Sequence, residues 1–247
     1  NPGGDYNQLA TSLLQIENEF YGTIRPKRVI GQGERPLHAL RERGVEYVEV
    51  RCMDLDPFVA VGIGPETVRF LDVFLLHCLL APSPPDTPEE IAALARNQHR
   101  TAARGREPGL KLERGSGEAL LGEWGAELVD ECAPIAAALD AAHGGEAYGA
   151  ALRGAAAALR APGSLPSARV LETMVRDFGG SFVGFARAQS QQIKETLMRL
   201  PFPAQAQARI AAAARASLDA QKAIEAADTL PFEEFRQDYL DIRRLAV

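Results

Sequence analysis

The stretch Val45-Glu46-Tyr47-Val48-Glu49-Val50-Arg51-Cys52 decides the fold at the start of this chain of 247 residues. Its side chains alternate between polar and apolar and are rich in β-branched types, which is typical of a β-strand with one covered face. Tyr47, Glu49 and Arg51 share one face of this strand, and apolar side chains occupy the other. Glu49 and Arg51 are therefore expected to leave the sheet on the same side, about 6.6–7 Å apart.

A second stretch, residues 13–21, alternates in the same way. Its apolar side holds Leu14, Ile16 and Phe20, and its polar side holds Gln15, Glu17, Glu19 and Tyr21. We therefore expect two antiparallel strands within about residues 13–52. Between them lie the basic segment Ile24-Arg25-Pro26-Lys27-Arg28, the turn-like Gly31-Gln32-Gly33 and a short helical stretch near residues 36–43. Two strands are too few for an independent sheet, so further strands must come from elsewhere.

From Pro65 onward the sequence predicts helices almost throughout. Gly64-Pro65-Glu66 opens a helix that runs to Ala81, because proline is tolerated in the first helical turn. Thr87-Pro88-Glu89-Glu90 is a capping box, which starts a second helix that ends near Arg104. Further helices are expected at about 122–142, 145–161, 166–177, 204–226 and 231–245.

Composition narrows the class of protein. Apolar residues make up 46% of the chain and charged residues 24%, which is ordinary for a soluble globular protein. The net charge of -6 argues against a nucleic-acid groove, although an anionic substrate could still occupy a local basic pocket. The longest apolar run, residues 73–81, is too short to span about 30 Å of hydrocarbon, so we expect no membrane span.

Cysteine usage and the chain start add two expectations. The three cysteines are widely spaced and form no Cys-x-x-Cys pair, which favours a reducing, cytoplasmic location over a disulfide framework or a zinc site. We see no signal peptide. The chain begins at Asn1 without a methionine, and residues 1–5 resemble a loop that enters a strand. This fits either a trimmed end or a missing upstream half.

The charged face of residues 45–52 is the strongest candidate for chemistry. Glu49 and Arg51 could form a plain surface ion pair, or they could form the floor of a site for an anionic, metal-bound substrate. A carboxylate suits magnesium, and the planar guanidinium of arginine suits a phosphoryl oxygen. The basic group at residues 25, 27 and 28 could be solubilising or could reach phosphates. Since no glycine-rich phosphate loop is present, any ATP would be held by metal ions and arginine.

Several segments resemble the glutamate–cysteine ligases of the proteobacterial type, in the same order along essentially the whole chain. They are Leu14–Tyr21, Ile24–Arg28, Val45–Arg51, Asp54–Phe58, Val68–Phe74, Gly144–Tyr148, Ser167–Arg169 and Glu225–Thr229. The Ile24–Arg28 and Val45–Arg51 blocks are the most specific of these. Family members are about twice as long, so the resemblance is to their C-terminal half only.

The resemblance implies ATP- and Mg²⁺-dependent joining of glutamate to cysteine through an acyl phosphate, the first step of glutathione synthesis. It implies that Glu49 is a magnesium ligand and that Arg51 stabilises the transferring phosphoryl group. Tyr21 resembles a tyrosine of the cysteine-binding pocket, and Arg25 is a weaker candidate for the nucleotide side or for a structural role. The other acidic metal ligands and the glutamate site would come from the missing N-terminal half.

The expected fold class is α+β, in one domain over residues 1–247. A few antiparallel strands at about 13–52 would complete a glutamine-synthetase-like sheet, and residues 65–247 would be mostly helical. Two alternatives remain for the function. One is a γ-glutamyl ligase that uses a different amine, and the other is a non-catalytic helical fragment that keeps the strands only as scaffold.

Overall fold

The computed structural model describes residues 4, 6–19, 21–31, 33–241 and 243. Two compact units are present. Unit 1 consists of Asn1–Asp54 and Pro201–Val247, and unit 2 consists of Leu55–Leu200. Each unit is described in turn. Most of the loop expected at residues 1–5 lies outside the described residues. Phe20 and Gln32, the central residue of the expected turn Gly31-Gln32-Gly33, also lie outside them.

Helices dominate the described chain, with two short antiparallel hairpins beside them. The strands are β1 (Ile24–Lys27), β2 (Tyr47–Val50), β3 (Lys111–Arg114) and β4 (Gly117–Leu120). The helices are α1 (Pro36–Arg43), α2 (Pro65–Leu80), α3 (Pro88–Arg104), α4 (Leu121–His143), α5 (Ala147–Arg160), α6 (Pro166–Phe178), α7 (Phe182–Met198), α8 (Ala204–Ala227) and α9 (Phe232–Tyr239). Short 3₁₀ turns occur at Glu17–Glu19 and Pro162–Ser164. The predicted α+β class is confirmed.

Unit 1 contains the hairpin of β1 and β2, whose strands are connected through α1. The strands pair in the register Ile24↔Val50, Arg25↔Glu49, Pro26↔Val48 and Lys27↔Tyr47. The predicted strand at residues 45–52 is thus confirmed at its centre, and its partner is the basic segment 24–27. The apolar face of the hairpin is poorly covered, since Ile24 is 50% and Val48 44% exposed.

The predicted strand at residues 13–21 is wrong. This segment forms bends and the 3₁₀ turn Glu17–Glu19. Local polar groups compete with strand pairing here. The Gln15 side chain accepts a hydrogen bond from the backbone amide of Leu9, and the Gln15 amide donates to the Glu19 carboxylate. The Glu17 carboxylate is turned toward α1. Alternation alone could not reveal these contacts.

Unit 2 has its core where α2, α4 and α5 meet. The buried residues of this core cluster are Val73, Val129, Cys132, Ala136 and Leu152. Helices α4 and α5 join through Gly144 and Gly145, whose φ angles of +80° and +90° favour glycine. Asp140 of α4 then accepts hydrogen bonds from the first amides of α5, at Tyr148 (2.8 Å) and Gly149 (2.9 Å). The Gly144–Tyr148 segment therefore has a structural role.

The helical predictions hold in most places. Thr87 caps α3 as the capping box predicts, its hydroxyl accepting from the Glu90 amide at 3.2 Å. Helix α9 ends at Tyr239, earlier than expected, and residues 242 and 244–247 lie outside the described part. Helix α7 and the hairpin of β3 and β4 were not predicted. None of the helices in the described part of the chain is long and apolar enough to cross a membrane.

Candidate functional site

The polar face of the β1–β2 hairpin brings the predicted charged residues together. Because side chains alternate along a strand, the observed register places Arg25, Lys27, Tyr47 and Glu49 on one face. Arg51 continues this face just beyond the end of β2. The prediction that Tyr47, Glu49 and Arg51 share a face is therefore confirmed, and Lys27 joins them from the opposite strand.

Glu49 lies at the centre of this face, with one cation on each carboxylate oxygen. Arg51 donates from Nε to Oε1, and Lys27 Nζ lies 3.1 Å from Oε2. The Arg51 hydrogen bond, and then the Lys27 hydrogen bond, hold the pKa of the Glu49 carboxyl below its ordinary value. Glu49 is therefore ionised at neutral pH.

The polar face carries more positive than negative charge. Among the residues that the structure describes, this face carries three cations, Arg25, Lys27 and Arg51, and one carboxylate, that of Glu49. Two positive charges are thus in excess, in a chain whose net charge is -6. This is the local basic surface that an anionic ligand requires, and arginine is suited to phosphoryl oxygens.

The backbone fixes Arg51 on both sides. Its amide donates to the carbonyl of Thr23 at 2.7 Å, which extends the pairing of β1 and β2 by one step. The next residue, Cys52, has a φ of +60°, in the left-handed region where residues other than glycine are uncommon. The chain therefore leaves the strand direction directly after Arg51.

Tyr21 and Arg25, the other two predicted site residues, lie beside this face. The guanidinium carbon of Arg51 lies 5.6 Å from the centre of the exposed Tyr21 ring, within the range of a cation–π contact. Arg25 lies opposite Glu49 in the register, but its guanidinium reaches the Glu17 carbonyl, at a long 3.5 Å. All four predicted residues thus belong to one region of unit 1.

The basic segment 24–28 divides between two roles. Lys27 belongs to the polar face, as described above. Arg28 does not, since its guanidinium donates to the Arg43 carbonyl at 3.0 Å and lies 3.5 Å from the Glu46 carboxylate. Arg28 therefore stabilises the connection around α1, and only part of the basic segment is available to a ligand.

An ion pair of Glu17 with Arg35 was not predicted. Arg35 is only 8% exposed; its Nε lies 3.1 Å from both Glu17 oxygens, and its Nη1 donates to the Tyr239 carbonyl at 3.3 Å. Burial acts to raise the pKa of Glu17, but hydrogen bonds from Arg35 and from the Leu37 amide outweigh it, and the net shift is downward. This pair anchors the Glu17–Glu19 turn to α1 and α9, so Glu17 is structural.

The chain offers few ligands for a metal ion. Among the residues that the structure describes, no three His, Cys, Asp or Glu side chains are grouped so that they could hold one. Magnesium is usually held by one or two protein carboxylates together with substrate phosphates and water. The Glu49 carboxylate has about four lone-pair sites and uses two of them for its ion pairs. Glu49 therefore fits as one magnesium ligand, and further protein ligands would have to come from elsewhere.

Two other segments of the family resemblance meet inside unit 2. The guanidinium carbon of Arg169 lies 4.0 Å from the centre of the Phe58 ring, and that ring is 5.9 Å from the ring of the buried Phe185. Gln189 also donates to the Pro57 carbonyl at 2.9 Å. These contacts hold the loop before α2 against α6 and α7, so both segments have a structural role here.

Comparison with known proteins identifies relatives of this chain. The sequence model of the glutamate–cysteine ligase family matches residues 1–101. Glutamate–cysteine ligases of Azotobacter vinelandii and Bordetella parapertussis are 45% and 44% identical to the chain, each over 96% of its length. A crystal structure of the glutamate–cysteine ligase of Francisella tularensis in complex with AMP superposes with a TM-score of 0.88, at 33% identity and over 97% of this chain.

The chain is therefore homologous to ligases. Within that class it is similar, along almost its whole length, to glutamate–cysteine ligases, which confirms the resemblance seen in the sequence. The similarity does not cover the whole of those proteins. The chain spans 44% of the length of the Azotobacter ligase and 47% of the Francisella chain.

Proposed function

We propose that this chain forms one wall of the active site of a glutamate–cysteine ligase. The reaction would join the γ-carboxylate of glutamate to the amine of cysteine with ATP, as the first step of glutathione synthesis. The observation that carries this proposal is the polar face of β1 and β2, where Glu49 lies between Lys27 and Arg51 on a surface with excess positive charge. Similarity to named glutamate–cysteine ligases over 96% of the chain supports it.

The chemistry would proceed in two displacements. A γ-carboxylate oxygen of glutamate attacks the terminal phosphorus of ATP, and ADP leaves with the electron pair of the broken P–O bond. The cysteine amine then attacks the acyl carbon, phosphate leaves, and the nitrogen loses a proton. Phosphoryl transfer depends mainly on positioning and on charge stabilisation, which arginine supplies.

Arg51 is the proposed catalytic residue. It engages Glu49 through Nε, and Nη1 and Nη2 make no hydrogen bond to the other residues that the structure describes. These two groups could therefore contact oxygens of the transferring phosphoryl group. Glu49 would be a magnesium ligand, and magnesium, when bound, would neutralise charge on the phosphates.

Tyr21 and Arg25 have supporting roles in this proposal. Tyr21 has an exposed ring against Arg51, which suits a wall of the cysteine pocket next to the reacting groups. Among the described residues, Arg25 makes a single hydrogen bond, a long one to the Glu17 carbonyl, which suits a residue that turns toward the nucleotide. That the Francisella ligase was crystallised with AMP supports the use of an adenine nucleotide.

In this proposal, the complete enzyme consists of this chain and of a second part, equivalent to the portion of the ligases that this chain does not match. That part would supply the remaining carboxylate ligands, because the described residues hold no metal cluster of their own. Experiment can distinguish two alternative functions from this proposal. A ligase for a different amine would prefer that amine to cysteine, and a non-catalytic fragment would leave the rate of the complete enzyme independent of Glu49 and Arg51.

The test is ADP release by the complete enzyme with ATP, Mg²⁺, glutamate and cysteine. We expect release to require glutamate, and to give one amide product for each ADP when cysteine is present. A higher rate with another amine in place of cysteine would overturn the acceptor. ADP release that is unchanged when glutamate is left out would overturn the ligase itself.

A further inference from the structure

Lys27 is a cation of the polar face, and the proposed function assigns no role to it. In the register it lies opposite Tyr47, whereas the residue directly opposite Glu49 is Arg25. The ion pair with Glu49 is nevertheless made by Lys27, at 3.1 Å, along the diagonal of the sheet. Diagonal neighbours are about 7–8 Å apart, a distance that a lysine side chain can span. Arg25 is left to its long contact with Glu17.

This pairing constrains the Glu49 carboxylate. A glutamate side chain has three rotatable bonds, and one ion pair with the adjacent Arg51 would let the two side chains move together. The second ion pair, from another strand, holds the other oxygen. Lys27 is itself only partly exposed, although lysine is among the residue types most often exposed. The carboxylate is thus held by Lys27 of β1 and by Arg51, which directly follows β2, and it keeps two lone-pair sites for a ligand.

We propose that Lys27 is a positioning residue that orients the Glu49 carboxylate for its ligand and leaves the Nη groups of Arg51 free for the phosphoryl group. This inference rests on the function proposed above. Without Lys27, Arg51 would be the one cation that the described part of the chain places on the Glu49 carboxylate. Glu49 could then form a two-pronged ion pair with the Arg51 guanidinium, and this would occupy the groups that the phosphoryl oxygens need.

Arg28 provides a matched control. It is adjacent in sequence, has the same charge and is similarly exposed, but it bonds to Glu46 and the Arg43 carbonyl and lies off the polar face. Lys27→Met and Arg28→Met therefore change the net charge equally. Only the first removes a contact of Glu49.

The experiment measures binding of ATP with Mg²⁺ to the complete enzyme by titration calorimetry, beside kcat and KM. Loss of a residue that orients a metal ligand typically weakens metal binding about 10–100-fold, so Lys27→Met should weaken Mg²⁺-ATP binding at least about tenfold. Lys27→Arg should restore most of it, and Arg28→Met should change it less than about twofold. Lys27→Gln replaces Lys27→Met if the latter does not fold by circular dichroism.

A double-mutant cycle of Lys27 and Glu49 then distinguishes positioning of Glu49 by Lys27 from direct contact of Lys27 with the ligand. If Lys27 acts through Glu49, Lys27→Met should have almost no further effect on binding in a Glu49→Gln background. An undiminished effect in that background would overturn the proposal, because Lys27 would then touch the ligand itself. An effect of Lys27→Met no larger than that of Arg28→Met would also overturn it.

Failure of this inference is separable from failure of the proposed function. If ADP release depends on glutamate and falls in Arg51→Ala, but Lys27→Met behaves as Arg28→Met, then the ligase proposal stands and the role of Lys27 is wrong. If Arg51→Ala has no effect on ADP release, the proposed function is itself wrong.

Discussion

Apolar residues alternate along the β1–β2 hairpin of unit 1 and recur along the helices in the core of unit 2. These apolar side chains are buried in the core but largely exposed on the hairpin. Val73 and Cys132 in the core are each 1% exposed, whereas Ile24 and Val48 on the apolar face of the hairpin are about half exposed. The core is completed by helices of unit 2 itself. The hairpin has only two strands and an uncovered apolar face, so it does not form a self-sufficient sheet.

This difference in burial indicates which of the two regions would need contacts from further polypeptide to be stable. The buried cluster of the helical core consists of residues of unit 2, so its stability should be measurable in this chain alone. The hairpin holds the proposed site, but its polar face is ordered by ion pairs that are partly exposed to solvent, and such pairs contribute little to stability. We therefore expect the hairpin to be the less stable of the two regions in this chain.

The largest expected effect lies in the packing of unit 2. Phe185 is 2% exposed and contacts the rings of Phe58 and Phe178, so Phe185→Ala should destabilise unit 2 by about 3–5 kcal/mol. Phe182, three residues earlier in α7, is 62% exposed, and Phe182→Ala should cost about 0.5 kcal/mol or less. Urea unfolding followed by circular dichroism measures both. Equal losses would show that unit 2 is not packed as described.

A smaller effect separates two glycines of the same helical core. Leu159 Cδ2 lies 2.8 Å from the position that a Cβ at residue 125 would take, so Gly125→Ala should cost about 1–3 kcal/mol through overpacking. Gly154 in α5 has open space at its Cβ position, and Gly154→Ala should stabilise the helix by about 0.5–1 kcal/mol. The opposite signs can be read from the unfolding midpoints. The same sign for both would contradict the packing of α4 against α5.

Substitutions on the apolar face of the β1–β2 hairpin should lower stability only when further polypeptide covers that face. In the chain alone, Val48→Ala should change stability by about 0.5 kcal/mol or less, because Val48 is 44% exposed. In the complete enzyme, the same substitution should cost about 1.5 kcal/mol or more if further polypeptide buries this face. Thermal unfolding of both forms, with and without the substitution, measures the change. An unchanged small effect would mean that the face stays exposed.

The smallest expected effect concerns an ion pair that supports the connection around α1. Arg43 donates to both oxygens of Glu34, and these hydrogen bonds, followed by one from the Gly31 amide, lower the pKa of that carboxyl from 4.5 to about 2. Since the folded pKa is the lower one, the contribution to stability is present above about pH 4.5 and is lost as the pH falls toward 2. Carbon NMR titration should show the pKa of Glu34 rising toward 4.5 in Arg43→Met. A pKa near 4.5 in the unmutated protein would contradict the ion pair.

Sequence patterns predicted the elements that are determined locally. Helices α2 and α3 were predicted because Pro65 and the Thr87 capping box act within a single turn. The face shared by Glu49 and Arg51 followed from alternation within one strand. The hairpin of β3 and β4 also has a local signal, a two-residue Gly115-Ser116 turn with Gly115 at φ +58°, and it was missed because its strands, unlike β2, contain no β-branched residues.

The remaining features depend on residues far apart in sequence. Residues 13–21 alternate like a strand, but Glu17 bonds to Arg35, 18 positions away, and Arg35 bonds to Tyr239, 204 positions away. The role of Lys27 required the register of β1 against β2, which alternation within either strand does not give. Sequence therefore predicted which residues share the polar face of β2, and pairing between distant segments determines how they are held.

The most direct test of the central claim follows phosphoryl transfer to glutamate before cysteine reacts. ATP labelled with ¹⁸O at the β–γ bridging position should scramble its label in the complete enzyme when glutamate is present and cysteine is absent. Loss of one preorganised group that stabilises transition-state charge costs about 10²–10³ in rate, so Arg51→Ala should slow the scrambling by that factor while Arg28→Ala leaves it unchanged. Equal scrambling rates in the two variants would contradict the account.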